Sequence, residues 1–229
     1  MERRLAAINS LGRVRKRRSA PGLRVTQRKL LGALFAIFGL MLWADAAAAT
    51  PAGTVIGVNR SCTDRGRVLN RGDTVQIGDT LDVAAGGSLK LRMADGSMIS
   101  AASGTSVTIA NYGSAGSGRA AKLWLMRGLL RITSVTRPFD VSTAVGTASV
   151  GSDSADWFIK TQAGSAQVGV LAGTIDLTNV VTGQSVSIPA RWGTRLETGR
   201  VPVVPRVWTQ MEFNAVIRVT EMPNNVQLK

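Results

Sequence analysis

The groups in this chain that could do chemistry are carboxylates, one thiol and a set of tryptophans, because histidine is absent. Without imidazole the chain lacks the commonest general base and metal ligand, and the usual serine and cysteine triads cannot be built. A single cysteine, Cys62, with no histidine also argues against a zinc site. Paired carboxylates could still cleave a glycosidic bond, and Asp73, Asp79, Asp82, Asp95, Asp153, Asp156 and Asp176 are available for it. Most of them stand beside Gly, Ser or Thr at expected turns, where an Asp side chain accepts local backbone N–H groups. The stretch GSDSAD (151–156) offers hard oxygens from Asp153, Ser154 and Asp156 to calcium, at a spacing unlike that of an EF-hand loop. No Gly-rich run leads into Lys-Ser or Lys-Thr ahead of a helix, so no phosphate loop is indicated. The expectation is a non-enzymatic chain with no cofactor and no metal.

The aromatic residues suggest binding instead. Trp124, Trp157, Trp192 and Trp208 lie beyond residue 49, together with Phe139, Phe158 and Phe213. Trp157 and Phe158 are adjacent, and in a strand they point to opposite faces. One of the two is therefore a candidate exposed binding aromatic, able to stack on a sugar, a peptide or a base, with core packing as the alternative. Cys62 cannot form an internal disulfide and is expected to be a partly buried, inert thiol.

The elements that must position these groups follow from hydrophobic alternation. From Thr50 to about Gly199 the chain is rich in Gly, Ser, Thr and Val, in short alternating runs broken by turn residues at roughly ten-residue spacing. DTVQIGDTLDV (73–83) and TSVTIA (105–110) alternate cleanly. KLWLMRGLLRITSV (122–135) reads as a strand pair split at Arg127-Gly128, and SAQVGVLAGTIDLTNV (165–180) as two strands around Ala172-Gly173. Asp95-Gly96 reads as a two-residue type I′ hairpin tip, with positive φ at both residues. That register sets Met93 opposite Met98 and Leu91 opposite Ser100, and leaves Lys90, Arg92, Ser97 and Ile99 on the other face. No fixed repeat period is present, which favours a sandwich, a jelly-roll-like fold or a short β-roll over a regular solenoid. After Pro202 and Pro205, RVWTQMEFNAVIRVT (206–220) has the parity of an extra strand, while Met211, Ala215 and Arg218 also permit a helix.

The amino-terminal region has a different composition. The net charge is +14, but residues 1–49 hold ten of the 28 basic and two of the 14 acidic residues, leaving 18 and 12, a net +6, for the remainder. Basic RVTQRK (24–29), apolar LLGALFAIFGLMLWA (30–44) and small DAAAAT (45–50) have the layout of an export signal. Fifteen uncharged residues fall short of the roughly twenty that span a bilayer core, so cleavage between Ala49 and Thr50 is expected. An uncleaved inner-membrane anchor with a basic cytoplasmic tail is the alternative, and translation from Val25 would give a compact signal. Either way the bulk of the chain is placed outside the cytoplasm, periplasmic or secreted, and touches a membrane only through residues 1–49. The modest, diffuse charge of the remainder and the compartment argue against nucleic acid as a partner.

The ordered series GDTLDVAAGGSLKLRMADGSMISAASGTSVTIA (78–110), KLWLMRGLLRI (122–132), PFDVSTAVGTASVGSDSADWFI (138–159), AQVGVLAGTIDLTN (166–179) and GQSVSIPARWGTRL (183–196) resembles a FecR-type periplasmic domain over residues 55–197. Such domains show a GD before a strand, an L-x-L-x-D-G-S hairpin, an L-x-x-G turn, an F-x-V-x-T strand and a V-x-x-G-x-V unit. The resemblance makes Asp95, Gly96 and Ser97 a structural hairpin and no active site. Where the family often has R-G-T-x-F, this chain has VGSDSADWF (150–158), so a role tied to that arginine does not transfer. Family members in iron-siderophore signalling carry a cytoplasmic helical domain that restrains a sigma factor. Only 29 residues precede the apolar run here, so sigma-factor control is not implied.

The sequence thus leads to an all-β chain of short antiparallel strands behind an N-terminal signal or anchor helix. Its parts are residues 1–49, a β domain over 50–200 and a tail over 201–229. It is expected to act as a binding, sensing or regulatory module of the bacterial envelope whose partner is a protein or an envelope polymer. A membrane-anchored signal-transduction sensor and an envelope polysaccharide-binding protein remain as alternatives.

Overall fold

Period-2 alternation of valine, leucine and isoleucine with threonine and serine gives most strands one oily face, and a computed structural model of the chain shows how these faces meet. It describes residues 50–113, 120–135, 138–151 and 154–221. Residues 1–49, with Ala49 and the expected signal, and Asp153 lie outside the described residues, while Thr50 is described and exposed.

In chain order the first strands are β1 (Pro51–Asn59), β2 (Cys62–Asp64), β3 (Arg67–Val68), β4 (Thr74–Gln76), β5 (Thr80–Val83), β6 (Ser88–Met93), β7 (Met98–Ala101) and β8 (Ser106–Asn111). There follow β9 (Ala121–Ser134), β10 (Phe139–Ser142), β11 (Gly146–Val150), β12 (Ala155–Gln162) and β13 (Ser165–Ala172). The last are β14 (Thr174–Asn179), β15 (Ser185–Pro189), β16 (Trp192–Glu197) and β17 (Arg206–Val207), before one helix, α1 (Gln210–Thr220).

The strands form two facing sheets. One runs β4-β1-β6-β7-β9-β12-β13-β16-β17 and the other β3-β2-β5-β8-β9-β10-β11-β14-β15. All of these pairings are antiparallel except β9 with β10. The strand β9 is common to both sheets. Its first half pairs with β8 and β10, and its second half, from Gly128 on, with β7 and β12.

The split expected at Arg127-Gly128 is therefore a bend within one strand of fourteen residues. Gly128 adopts φ +99, and a β-carbon there would collide with Thr105. The fully buried Thr105 hydroxyl accepts the N–H of Leu129 and donates to its C=O, each at 3.1 Å. This side chain thus satisfies the Leu129 N–H at the bend, while the Leu129 C=O also accepts the Ala102 N–H at 3.0 Å.

Between the sheets lies one core. Val55, Leu89, Leu91, Ile99, Ile132, Trp157 and Val168 from the first sheet pack against Leu81, Val107, Leu123, Val141, Ile175 and Leu177 from the second. Each such burial contributes about 1.5–3 kcal/mol.

Two expectations are corrected here. The hairpin at Asp95 has a three-residue loop, Ala94-Asp95-Gly96, with the Gly96 N–H bonded to the Met93 carbonyl and the Met93 N–H to the Ser97 carbonyl. Gly96 has φ +91, while Asp95 is not left-handed, so the tip is a type I turn closed by a glycine bulge. Leu91 then faces Ile99 instead of Ser100, and Arg92 faces Met98. The physical reason is burial: the two-residue register would turn Ile99, now 1% exposed, toward water.

The second correction concerns the tail, which is helical over Gln210–Thr220 and not an extra strand. Thr209 caps it, and the Glu212 side chain reaches back to the Thr209 N–H at 2.8 Å, a complete capping box. Helical spacing buries Phe213, Val216, Ile217 and Thr220 to varying degrees, whereas strand parity would bury Met211 and Val219, which stay exposed. Among the described residues of the tail, strand structure is confined to the two-residue β17 ahead of the cap. Among the described residues, no helix is long and apolar enough to cross a membrane.

Candidate functional site

Asp73, Asp79, Asp82, Asp95 and Asp156 occupy structural positions. Asp95, 8% exposed, accepts the Ser97 N–H at 2.9 Å, the Ser97 hydroxyl at 2.8 Å and the Tyr112 hydroxyl at 2.9 Å. Burial, and then the nearby Asp95 charge, push the Tyr112 phenol far above its ordinary value, so it stays protonated and donates. Ser97 in turn accepts the Val135 N–H at 3.2 Å, which ties the hairpin to the end of β9. Asp73 takes the Asn70 N–H, and Asp79 takes the Gln76 N–H together with Arg65 at 2.7 Å. Asp82 pairs with Arg127, and Asp156 holds Arg131 through two bonds of 3.1 and 2.9 Å. Among the described residues no three His, Cys, Asp or Glu side chains converge as metal ligands.

Cys62 is fully buried, and burial pushes its thiol up to about 11. Its sulfur contacts the Ser88 carbonyl at 3.6 Å.

The pair Trp157 and Phe158 does point to opposite faces, but neither ring is exposed. Trp157 fills the core between the sheets, and Phe158, 1% exposed, points outward and is covered by the tail. The Phe158 ring lies 5.2 Å from Trp208 and 6.5 Å from Phe213, and these two are 5.6 Å apart. Glycine makes the room. A β-carbon on Gly169 would collide with the Phe158 ring, and one on Gly193 with the Trp208 indole. Arg206 closes the cluster, its guanidinium 5.7 Å over Trp208 and 2.5 Å from Glu212. The exposed-aromatic expectation at these two positions is thereby overturned, because residues some fifty positions downstream cover the face.

Among the described tryptophans the most exposed is Trp124, with Trp192 next at 36%. In β9, Leu123 and Leu125 point inward, so Trp124 and Met126, each 45% exposed, stand on the outer face of the second sheet. The pairing register places Trp124 in a row with Thr80 and Thr108 on one side and Ser142, Thr147, Thr178 and Ser185 on the other. Neighbouring hydroxyls bond one another at 2.9 Å (Thr80 with Thr108), 3.0 Å (Ser142 with Thr147) and 2.7 Å (Thr178 with Ser185). In each pair one hydroxyl donates to the other, which leaves the acceptor's proton for an outside partner. The next row carries Lys122, Asp140, Ser149, Asp176 and Ser187. While α1 covers part of the outer face of the first sheet, this face stays uncovered by any described helix. The alternation in KLWLMR signals it in the sequence, with Lys122, Trp124 and Met126 on one parity and leucines on the other.

A model of the FecR protein family matches residues 79–176, from the residue before β5 into β14. No curated protein matches the chain. Two crystal structures of a proposed anti-sigma factor from Parabacteroides distasonis ATCC 8503, at 2.50 and 1.65 Å resolution, superpose with a TM-score of 0.50 at 13% identity. The superposition covers 59% of this chain and 62% and 63% of theirs, less than two thirds of either, and the likeness is one of fold.

Proposed function

Since the chain carries a FecR-type domain, we propose that it is a sensing and regulatory module of the bacterial envelope without enzymatic activity, receiving its partner on the open sheet face around Trp124. The observation that carries this reading is a solvent-exposed indole in the middle of a row of threonine and serine hydroxyls, on the sheet face that no described helix covers. A flat aromatic surface flanked by neutral donors suits an envelope polymer or an extended protein segment. The absence of histidine and the engagement of Asp79, Asp82, Asp95 and Asp156 with arginines or local donors support binding over catalysis. Export through residues 1–49, with cleavage between Ala49 and Thr50, would deliver the β domain to the periplasm or beyond.

The test is site-specific photocrosslinking in intact cells. A benzophenone amino acid in place of Trp124 is expected to give an adduct with an extracytoplasmic component, and the same probe at Met211 on the exposed side of α1 is expected to give none. No adduct from position 124, or one with a cytoplasmic component only, would overturn the proposal.

A further inference from the structure

We infer that a cleft between the last turn of α1 and the turn joining β5 to β6 binds a small organic anion, a carboxylate or phosphate group carried on a short apolar body. The cleft lies on the outer side of the first sheet and shares no residue with the Trp124 row, so the two readings stand or fall separately. It is an open cleft of about 460 Å³, room enough for a small metabolite.

Its floor holds a polar group that the fold leaves without a partner. Ser88 opens β6 with Leu89 turned into the core, so its side chain points to the outer face and lines the cleft. The residue is 7% exposed, and its buried hydroxyl has no hydrogen-bond partner among the described residues. Such a group is destabilising unless something outside the chain satisfies it. Nearby, Ser103 accepts the Gly86 N–H at 2.7 Å, which leaves its own O–H as a donor. Leu129 and Val219 supply an apolar wall.

Charge selects the ligand. Lys160 and Arg218 line the cleft, both exposed, and neither is in an ion pair among the described residues. Arg60, whose guanidinium lies against Gly86 at the rim, is likewise unpaired among them. The opposing carboxylate, Glu221, is engaged by Arg131 at 3.6 Å. Two carbonyls of the last helical turns are engaged within the helix end: the Thr220 hydroxyl contacts those of Val216 and Ile217, and the Glu221 N–H bonds that of Ile217. The charged side chains left without an ion pair at the cleft, among the described residues, are therefore cationic.

The chain recovered from cells would be titrated at constant ionic strength with sodium phosphate and, separately, with sodium hexanoate, following the amide resonances of Gly86, Gly87 and Ser88. Saturable shifts are expected with at least one probe, and which probe binds tells phosphate from carboxylate recognition. The double variant Lys160→Gln/Arg218→Gln, made at two exposed unpaired positions so that the fold is retained, is expected to bind about tenfold or more weakly. Ser88→Ala is expected to weaken binding while leaving the spectrum otherwise native. No saturable shift with either probe, or binding unchanged in the double variant, overturns the inference.

Discussion

The Phe158 ring lies directly over Gly169 on the neighbouring strand, in the space a β-carbon at position 169 would need. Gly169→Ala therefore forces the ring off its site and, with it, Trp208 and Phe213. The expected cost is about 1–3 kcal/mol of stability, as for overpacked cores. Trp208 fluorescence should shift to the red at temperatures where the sheets remain folded. Met211→Ala, at an exposed position of the same helix, should leave both unchanged.

The capping box makes the docking of α1 sensitive to acid. The Arg206 guanidinium, followed by the Thr209 N–H, lowers the Glu212 carboxyl from its ordinary 4.5 to about 2. A lowered carboxyl stabilises the folded state above the unfolded value, and the contribution is lost as pH falls through the folded value. The helix contacts should therefore loosen between about pH 4.5 and 2, read as a change in near-ultraviolet dichroism. Glu212→Gln should remove that transition and bring the change to neutral pH.

Removing the carboxylate at the hairpin tip leaves donors stranded. Asp95→Ala would take the acceptor from the Ser97 N–H and hydroxyl and from the buried Tyr112 phenol. Denaturant unfolding is expected to show a loss of about 1–3 kcal/mol or more, the penalty for unpaired buried polar groups. Asp95→Ala/Tyr112→Phe should recover part of it, because the phenol no longer needs an acceptor.

The thiol reports global opening. Fully buried and pushed up to about 11, Cys62 should resist alkylation in the native chain at pH 8 and react at once in denaturant. Rapid alkylation of the folded chain would contradict the packing around β2.

Strand positions were readable in the sequence because alternation is a local property. Val75 and Ile77, or Val107 and Ile109, needed no distant partner to declare an oily face. Long-range arrangement was less accessible. Arg127-Gly128 and Ala172-Gly173 look alike as turn signals, yet the first bends one strand and the second passes the chain from one sheet to the other. Asp95-Gly96 announced a hairpin, but whether Ala94 joins the loop is decided by where Ile99 can be buried. The tail was ambiguous because Phe213 and Ile217 suit both periods, although Thr209 and Glu212 already stood at capping-box spacing. Alternation alone places Trp157 and Phe158 on opposite faces, but the cover over Phe158 comes from residues 208 and 213. Trp124 was the better-placed indole, and its parity with Lys122 and Met126 was the clue. The cleft had no local signature, since Ser88, Lys160 and Arg218 meet only through the fold.

The shared strand β9 also sets how the molecule comes apart. Leu123 is anchored within the second sheet and Ile132 within the first, on one uninterrupted length of backbone. Neither sheet can lose its middle strand while the other stays whole. Amide protons in both halves of the strand should then exchange with solvent at a common rate, through a single opening of the entire β domain, although they belong to different sheets.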